Sequence, residues 1–141
     1  MILAGEKHRV AKWVCDRIRD MDSPPEKDFE ALGVVKDGRL IGGVIYNCYW
    51  EIAPGQHDIR VVIAGEPGWL TKASLRALFS YPFMQLNCVR MTALIARANK
   101  KSLDLNQRLG FKIEGCIRDG FGQGKDALVT GLLKAECRWI G

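Results

Sequence analysis

The sequence predicts an α/β (α+β) protein in which helices flank a sheet, and three observations lead to that prediction. The chain has 141 residues, of which 48% are hydrophobic, a size that suits one core and leaves no room for two. Strand-like runs dominate its first half. In the second half, strands alternate with helices, which is typical of a sheet with some parallel pairing. We therefore expect one domain over residues 1–141.

The first half is expected to contain a short strand, a helix and three longer strands. Apolar residues recur at helical spacing between residues 6 and 20, after a short strand at residues 1–3. Asp37-Gly38 separates two apolar runs, which is a strong hairpin signal. Gly42-Gly43 within the second run indicates a bulge or a close backbone approach. The three longer strands are predicted at residues 31–36, 39–51 and 57–64.

The second half is expected to contain two helices and three strands. Thr71 is a suitable N-cap for a helix that runs to about Ser80, and the proline after Tyr81 disfavours helix there. A second helix begins at Asn99 and is stopped by Gly110. The remaining strands are predicted at residues 89–96, 111–118 and 127–135, the last after a glycine-rich turn at residues 120–124.

Composition excludes several classes of protein. The longest apolar run, residues 40–46, is far shorter than the roughly 20 residues that cross a bilayer. The N-terminus lacks the basic and apolar regions of a secretion signal. The five cysteines are scattered, without the paired spacing of a zinc site or a disulfide framework. These features predict a cytoplasmic protein with reduced cysteines, no membrane partner and no bound metal.

The net charge of +5 suits a polyanion or a small ligand with several phosphates. The basic residues are spread along the chain rather than clustered, which argues against a nucleic-acid partner. Two strand-to-helix junctions, at residues 63–73 and 95–102, offer a narrower explanation, because helix N-termini attract anions. The alternative is two ordinary capped helices with solvated basic residues around them.

A polar stripe follows one face of the second predicted helix. Asn99, Ser102 and Asn106 are three and four residues apart and therefore share that face. Such a stripe at a helix N-terminus could hydrogen-bond an extended ligand that contains amides. The alternative is that Asn99 only caps the helix while the other two side chains face water.

The stretch around this stripe resembles a known family. Asn99 and Ser102 are followed by Leu109-Gly110-Phe111 and Glu114-Gly115, a pattern similar to that of the GCN5-related N-acetyltransferases. The resemblance is to the branch that acetylates the N-termini of ribosomal proteins. The predicted element order also resembles that fold, a central mixed, mostly antiparallel sheet with splayed parallel strands and flanking helices. Small acetyltransferase-like proteins of bacteriophages are similar at residues 68–71, 81–83 and 136–139.

The resemblance implies acetyl-CoA as co-substrate, bound where the two central parallel strands splay. Backbone N–H groups of the loop that opens the first helix would hold the pyrophosphate, although its side chains match the family pattern well only at Ala73. Asn99 would bind the pantetheine arm, and a backbone N–H near Ile63 would stabilise the oxyanion. The cofactor-binding candidates are Ile63, Trp69, Leu70, Thr71, Lys72, Ala73, Asn99, Ser102 and Asn106. Lys72, Arg76, Arg97 and Lys100 are candidates for the phosphates.

The implied reaction is direct attack of a neutral primary amine on the thioester, so that a nearby group must accept a proton. His57, Asp58 and Glu51 are the candidate bases, with His57 slightly ahead, and Glu114 is a further one. The alternatives are a structural His57 and two carboxylates that flank a surface turn. Many family members carry a tyrosine at the position of Asn106 to protonate the departing thiolate, so that water or Ser102 would have to serve here.

No motif in the sequence identifies the amine that would accept the acetyl group. A protein N-terminus, a lysine and a small-molecule amine all fit the implied reaction. The alternative function is a catalytically weak or inactive binding module with the same fold, with or without CoA. A free sheet edge such as the last strand would suit a homodimer.

Overall fold

The computed structural model describes residues 1–18, 25 and 28–141. Within them, the chain forms a single sheet whose seven strands are β1 (Ile2–Leu3), β2 (Phe29–Lys36), β3 (Arg39–Ala53), β4 (Gln56–Gly65), β5 (Cys88–Ala96), β6 (Lys112–Ile117) and β7 (Ala127–Leu133). Their order across the sheet is β1-β2-β3-β4-β5-β7-β6. Neighbours are antiparallel except β4 and β5, which are parallel. The predicted mixed, mostly antiparallel sheet is confirmed.

Helices cover both faces of this sheet. They are α1 (Lys7–Cys15), α2 (Lys72–Ser80) and α3 (Lys100–Leu109), with short helical turns at Tyr81–Gln85 and Lys134–Glu136. The helix predicted over residues 6–20 already ends at Cys15, and residues 19–20 lie outside the described part of the chain. None of the helices described is long and apolar enough to span a bilayer.

The predicted hairpin and N-cap have the local geometry that their residues favour. Asp37 and Gly38 have φ angles of 52° and 80° between the paired residues Lys36 and Arg39. Two consecutive positive φ values match the right-handed twist of the flanking strands. Thr71 caps α2 by accepting a hydrogen bond from the backbone N–H of Ser74. Both predictions are confirmed.

The Gly42-Gly43 pair lies where side chains approach the backbone of β3 from opposite faces. A Cβ at Gly42 would lie 2.1 Å from Cε3 of Trp69, and one at Gly43 would lie 2.9 Å from Cγ1 of Val10. The predicted close approach is therefore confirmed. Two cores result, one beneath α1 and one beneath α2 and α3, and both share the strands that carry the site.

The chain remains helical after Tyr81, and the prediction that Pro82 disfavours helix there is wrong. Proline cannot donate the backbone hydrogen bond that an α-helix would direct to the carbonyl four residues earlier. That carbonyl, of Leu78, instead accepts a hydrogen bond of 2.6 Å from the buried Tyr46 hydroxyl. The helix continues as a π-helical turn, Tyr81–Gln85, because a side chain from β3 supplies the missing donor.

The last strand is not the free edge that was expected to suit a dimer. β7 pairs with β5 on one side and β6 on the other, so its backbone groups are already bonded. This prediction is wrong because the β6–β7 hairpin inserts its second strand into the sheet. β6 forms the edge, and all six of its residues are exposed.

The parallel pair β4–β5 is paired over only part of its length. The register joins residues 57–60 of β4 to residues 88–92 of β5. Beyond Arg60, β4 remains paired with β3, and beyond Thr92, β5 remains paired with β7. The two strands therefore splay after this point, and the splayed region is followed in the chain by the starts of α2 and α3.

Candidate functional site

A cleft occupies the space between the splayed parts of β4 and β5. Its inner cavity of about 110 Å³ is walled by residues 61–63 of β4 and 93–96 of β5. Ile18, which follows α1, and Phe121, from the β6–β7 loop, complete the apolar lining. Asn99, Ser102 and Asn106 of the α3 segment are its polar side chains. The cleft is therefore an apolar slot with one polar wall.

The backbone contributes to both strand walls of the cleft. Alternate N–H and C=O groups of a strand point toward each neighbouring strand. Because β4 and β5 are not in register beyond Arg60 and Thr92, their facing edges present backbone donors and acceptors to the cleft. An extended chain that contains amides can bond to such edges in the way that an added strand does.

The cleft continues into a wider mouth beside the start of α3. This mouth has a volume of about 230 Å³ and is lined by residues 65–67, Arg17 and Lys101, among others. Glu66 pairs with Arg17 at 3.6 Å and with Arg39 at 3.0 Å, so its carboxylate is neutralised by two guanidinium groups. The mouth thus places basic side chains beside a mostly apolar wall, which is compatible with a charged ligand.

Two amides define the polar wall at α3. Oδ1 of Asn99 accepts a hydrogen bond of 3.2 Å from the backbone N–H of Ser102, which caps the helix. Asn106 is only 3% exposed, and its Nδ2 donates to the backbone carbonyl of Ser102 at 2.8 Å. Oδ1 of Asn106 is buried, and no described residue donates to it.

The start of α2 carries a reciprocal cap. The hydroxyl of Thr71 accepts from the N–H of Ser74 at 3.1 Å, and the N–H of Thr71 donates to the Ser74 hydroxyl at 2.9 Å. Lys72 and Ala73 are the next two residues, and their N–H groups have no acceptor within the helix. Two outward N–H groups at the positive end of the helix dipole suit an anion.

The chain is similar to acetyltransferases in sequence as well as in fold. No family model matches it. It is 30% identical over 113 residues to a Bacillus subtilis (strain 168) protein named "Putative ribosomal N-acetyltransferase YdaF", covering 77% of this chain and 61% of that protein. The crystal structure of a "Probable acetyltransferase" is 27% identical, with a TM-score of 0.64 over 77% of this chain and 63% of the other. The chain is thus similar in sequence to N-acetyltransferases, and its fold matches that of the GCN5-related N-acetyltransferases.

These matches confirm the resemblance to N-acetyltransferases that residues 96–115 indicated. The spermidine N-acetyltransferase of Vibrio cholerae, in complex with CoA and spermine, has a TM-score of 0.69 at 18% identity, over 100% of this chain and 98% of the other. This likeness concerns the fold, and it extends over the whole chain. The chain spans less than two thirds of the length of the Bacillus relative.

The structure brings together four of the nine cofactor-binding candidates. Ile63, Asn99, Ser102 and Asn106 line the cleft of this acetyltransferase fold. The other five candidates belong to the loop and first turn of α2, outside the described lining: Trp69, Leu70, Thr71, Lys72 and Ala73. Their proposed contact with the cofactor stays a prediction.

Within that loop, Trp69 is a core residue. Its side chain is 4% exposed and covers Gly42 and Gly65, where a Cβ would lie 2.1 and 2.2 Å from the indole. Trp69 can therefore offer a ligand its backbone but not its indole. The hydroxyl of Thr71 is likewise engaged in the helix cap, whereas Lys72 and Arg76 are exposed on α2.

The remaining basic candidates lie beside α3. Arg97 is 3.8 Å from the carboxylate of Asp126 and donates to the sulfur of Cys116 at 3.4 Å. The contact with Cys116 raises the pKa of the Arg97 guanidinium. Lys100 and Lys101 are exposed in the first turn of α3, and Lys101 lines the mouth of the cleft.

Two candidate bases, His57 and Asp58, lie at the paired end of β4, and Glu51 lies opposite His57 on β3. Asp58 accepts hydrogen bonds of 3.0 Å from the hydroxyl of Thr92 and is 3.6 Å from Nε of Arg90. Arg90 also pairs with Glu114 on β6. Thr92 directly precedes Ala93, which lines the cleft, so this network reaches the point where the strands separate.

His57 and Glu51 lie further from the cleft. His57 precedes Ile63 by six residues, or about 20 Å of extended strand. Its ring stacks on Tyr49 with centroids 4.7 Å apart, and its Nε2 is 3.7 Å from Oε2 of Glu51. Tyr46, Tyr49 and Trp50 do not line the described cleft either. The catalytic roles of His57, Asp58 and Glu51 stay predictions.

Several residues that shape the site could not be recognised from local sequence patterns. Thr92 and Arg90 sit inside a strand, and Phe121 sits in a glycine-rich turn, so that no local pattern distinguishes them. The pairing of β5 with β4 and the insertion of β7 bring them to the cleft and its neighbouring network. Across the described residues, no three His, Cys, Asp or Glu side chains are grouped to hold a metal ion.

Proposed function

We propose that this protein binds acetyl-CoA in the cleft between β4 and β5 and transfers its acetyl group to a primary amine by direct attack. The observation that carries the proposal is the splay of this parallel pair after Arg60 and Thr92, which opens a cavity against the polar wall of α3. The names of the similar proteins, a ribosomal and a spermidine N-acetyltransferase, support the same reaction class.

The cleft suits the pantetheine arm of acetyl-CoA. The arm is an extended chain with two amides, and the unpaired strand edges offer both donors and acceptors to such a chain. The apolar side chains between them, such as Ile63 and Ile95, suit its methylene groups. Asn99 and Ser102 lie where the arm would leave the cleft for the mouth.

The phosphates would lie at the mouth. Lys101 lines this mouth. Phosphates placed there would have to extend beyond it to reach the neighbouring Lys100 and the N–H groups of Lys72 and Ala73 at the start of α2. The reciprocal Thr71–Ser74 cap keeps that turn rigid without a glycine-rich pattern. Backbone donors of this kind do not depend on side-chain identity, which accounts for a loop that departs from the family pattern.

We infer that Asp58 accepts the proton of the amine, directly or through water. Of the three candidate bases, Asp58 is the one linked to the cleft, through Thr92 and its neighbour Ala93. Arg90 holds its carboxylate in place. His57 and Glu51 remain alternatives for this role. Asn106 cannot protonate the departing thiolate, so water or Ser102 would serve.

The acceptor is proposed to be a protein N-terminus. A terminal α-amine has an ordinary pKa of about 7.7–8.0 and is partly neutral near pH 7, which suits a site with a modest base. The name of the Bacillus relative, which calls it a ribosomal N-acetyltransferase, supports a protein acceptor over a small-molecule amine. The five free cysteines support a cytoplasmic location, and residues 68–71 and 81–83 support a bacteriophage-type member.

Isothermal titration with acetyl-CoA and with CoA tests the first step. We expect saturable binding of both ligands, and no heat at high micromolar concentration would reject the proposal. Release of the CoA thiol is then followed over a panel of N-terminal peptides, lysine peptides and polyamines. Release with the N-terminal peptides supports the proposed reaction, whereas binding with no release over the whole panel supports an inactive binding module.

A further inference from the structure

The side-chain amide of Asn106 is fixed in one orientation. Its Nδ2 donates to the backbone carbonyl of Ser102 at 2.8 Å. Rotating the amide by half a turn would place Oδ1 against that carbonyl, and two acceptors would then face each other. Nδ2 is therefore the amide atom that faces the Ser102 carbonyl, and Oδ1 is the atom on the opposite side of the amide. Asn106 itself lines the cleft.

Oδ1 of Asn106 is a buried hydrogen-bond acceptor to which no described residue donates. The residue is 3% exposed, and no donor reaches this oxygen within the described chain. A buried acceptor without a donor is destabilising. A ligand in the cleft that brings a donor to this oxygen would remove that penalty, and a ligand that brings another acceptor would keep it.

The position of Asn106 determines which part of the ligand it meets. Asn99 and Ser102 line both the mouth and the inner cavity, whereas Asn106 lines the inner cavity. Seven residues of helix separate Asn99 from Asn106, about 10 Å along the axis of α3. A ligand whose phosphates lie at the mouth would therefore present its thioester end to Asn106.

We propose that Asn106 is a positioning residue whose Oδ1 accepts a hydrogen bond from the amide N–H nearest the thioester of acetyl-CoA. This inference rests on the proposed function. The thioester has a carbonyl and a sulfur but no donor, and the nearest N–H is that of the amide two carbons from the sulfur. Asn106 thus holds the thioester through its neighbouring amide, in place of a donor to the sulfur.

A CoA analogue in which an ester oxygen replaces that single N–H tests the contact. Isothermal titration of the wild-type protein should show weaker binding of the analogue than of CoA by about tenfold or more. In Asn106→Leu the acceptor is gone, and the two ligands should bind with affinities within about threefold of each other. This ratio of affinities reports the hydrogen bond and is insensitive to a general loss of stability.

Asn47→Leu is the matched control. Oδ1 of Asn47 is also buried, and no described residue donates to it, but Asn47 lies outside the cleft lining. This variant should keep the wild-type ratio. In the wild-type chain, the side-chain carbonyl carbon of Asn106 should shift on binding CoA and not on binding the ester analogue, which NMR can follow even if Asn106→Leu does not fold.

The outcomes separate the two proposals. Absence of CoA binding by the wild-type protein would overturn the proposed function, and this inference with it. Binding of CoA with equal affinity for the analogue, or an unchanged ratio in Asn106→Leu, would overturn this inference alone. A carbonyl carbon of Asn106 that responds alike to both ligands would also overturn it.

Discussion

The two ends of the β4–β5 pair have the same strands but different kinds of functional group. At the closed end, residues 57–60 pair with residues 88–92, and the groups with chemistry are side chains, among them Asp58, Arg90 and Thr92. At the open end, beyond Arg60 and Thr92, the strands separate around a cavity. There the polar groups are backbone edges and the amides of α3.

This difference indicates that the open end of the β4–β5 pair binds the ligand and that the closed end supplies the proton acceptor. Backbone edges can hold an extended ligand whatever their side chains are, because each residue offers the same N–H and C=O groups. A proton acceptor depends instead on one side chain held in place, as Asp58 is by Thr92 and Arg90. Changes at the open end should therefore alter affinity, and changes at the closed end should alter turnover.

Ser102→Phe should have the largest effect, because it fills the open end. The hydrogen bonds that the α3 cap makes through Ser102 use its backbone N–H and carbonyl, so the helix should remain. The phenyl ring would occupy the cavity, and we expect the affinity for acetyl-CoA to fall by about a hundredfold, or about 2.7 kcal/mol. Gln107→Phe, on the exposed face of the same helix, is the control. Titration of both variants checks this, and equal affinities would show that acetyl-CoA does not use the cleft.

Local patterns predicted much of the fold. Asp37-Gly38, Thr71 and Gly110 act through their own φ preferences or hydrogen bonds, which neighbouring residues determine. The helical turn at Pro82 was mispredicted because its donor, Tyr46, lies on β3. The position of β7 was mispredicted because strand order is decided by long-range pairing and not by the strand's own residues.

The site was predictable to the extent that it lies on one helix. Asn99, Ser102 and Asn106 share a face at helical spacing, and the structure places all three at the cleft. Spacing could not show which amide atom would be left without a partner, since this depends on the carbonyl of Ser102. Nor could it show that Asp58 would meet Thr92, because a parallel strand pair joins residues far apart in the chain.

Asp58→Asn should separate turnover from affinity. The amide keeps the size of the carboxylate but accepts no proton, so we expect kcat to fall by about thirtyfold. The affinity for acetyl-CoA should change by less than about twofold, since the open end is intact. Asp104→Asn, which removes an exposed carboxylate on α3, is the control. If His57→Gln or Glu51→Gln lowers kcat and Asp58→Asn does not, the proton acceptor is the residue changed in that variant.

The smallest expected effect concerns whether water reaches the closed end of the β4–β5 pair. Burial, together with the carboxylate of Asp58, raises the pKa of the Cys88 thiol to about 12. From about pH 9 to pH 12, the unfolded chain therefore loses a proton that the folded chain keeps, and the free energy of unfolding falls as the pH rises. The contribution of Cys88 is at most about 1.4 kcal/mol per pH unit.

Urea unfolding of the wild type and of Cys88→Ala, between about pH 8 and pH 10, measures this contribution. Cys88→Ala should be less stable at every pH because it leaves a cavity, but its stability should fall less steeply. Cys48→Ala, which removes an exposed thiol, should keep the wild-type slope. Parallel slopes for wild type and Cys88→Ala would mean that water reaches Cys88 in solution. The closed end would then be as open as the cleft, and the division between a binding end and a chemical end would not hold.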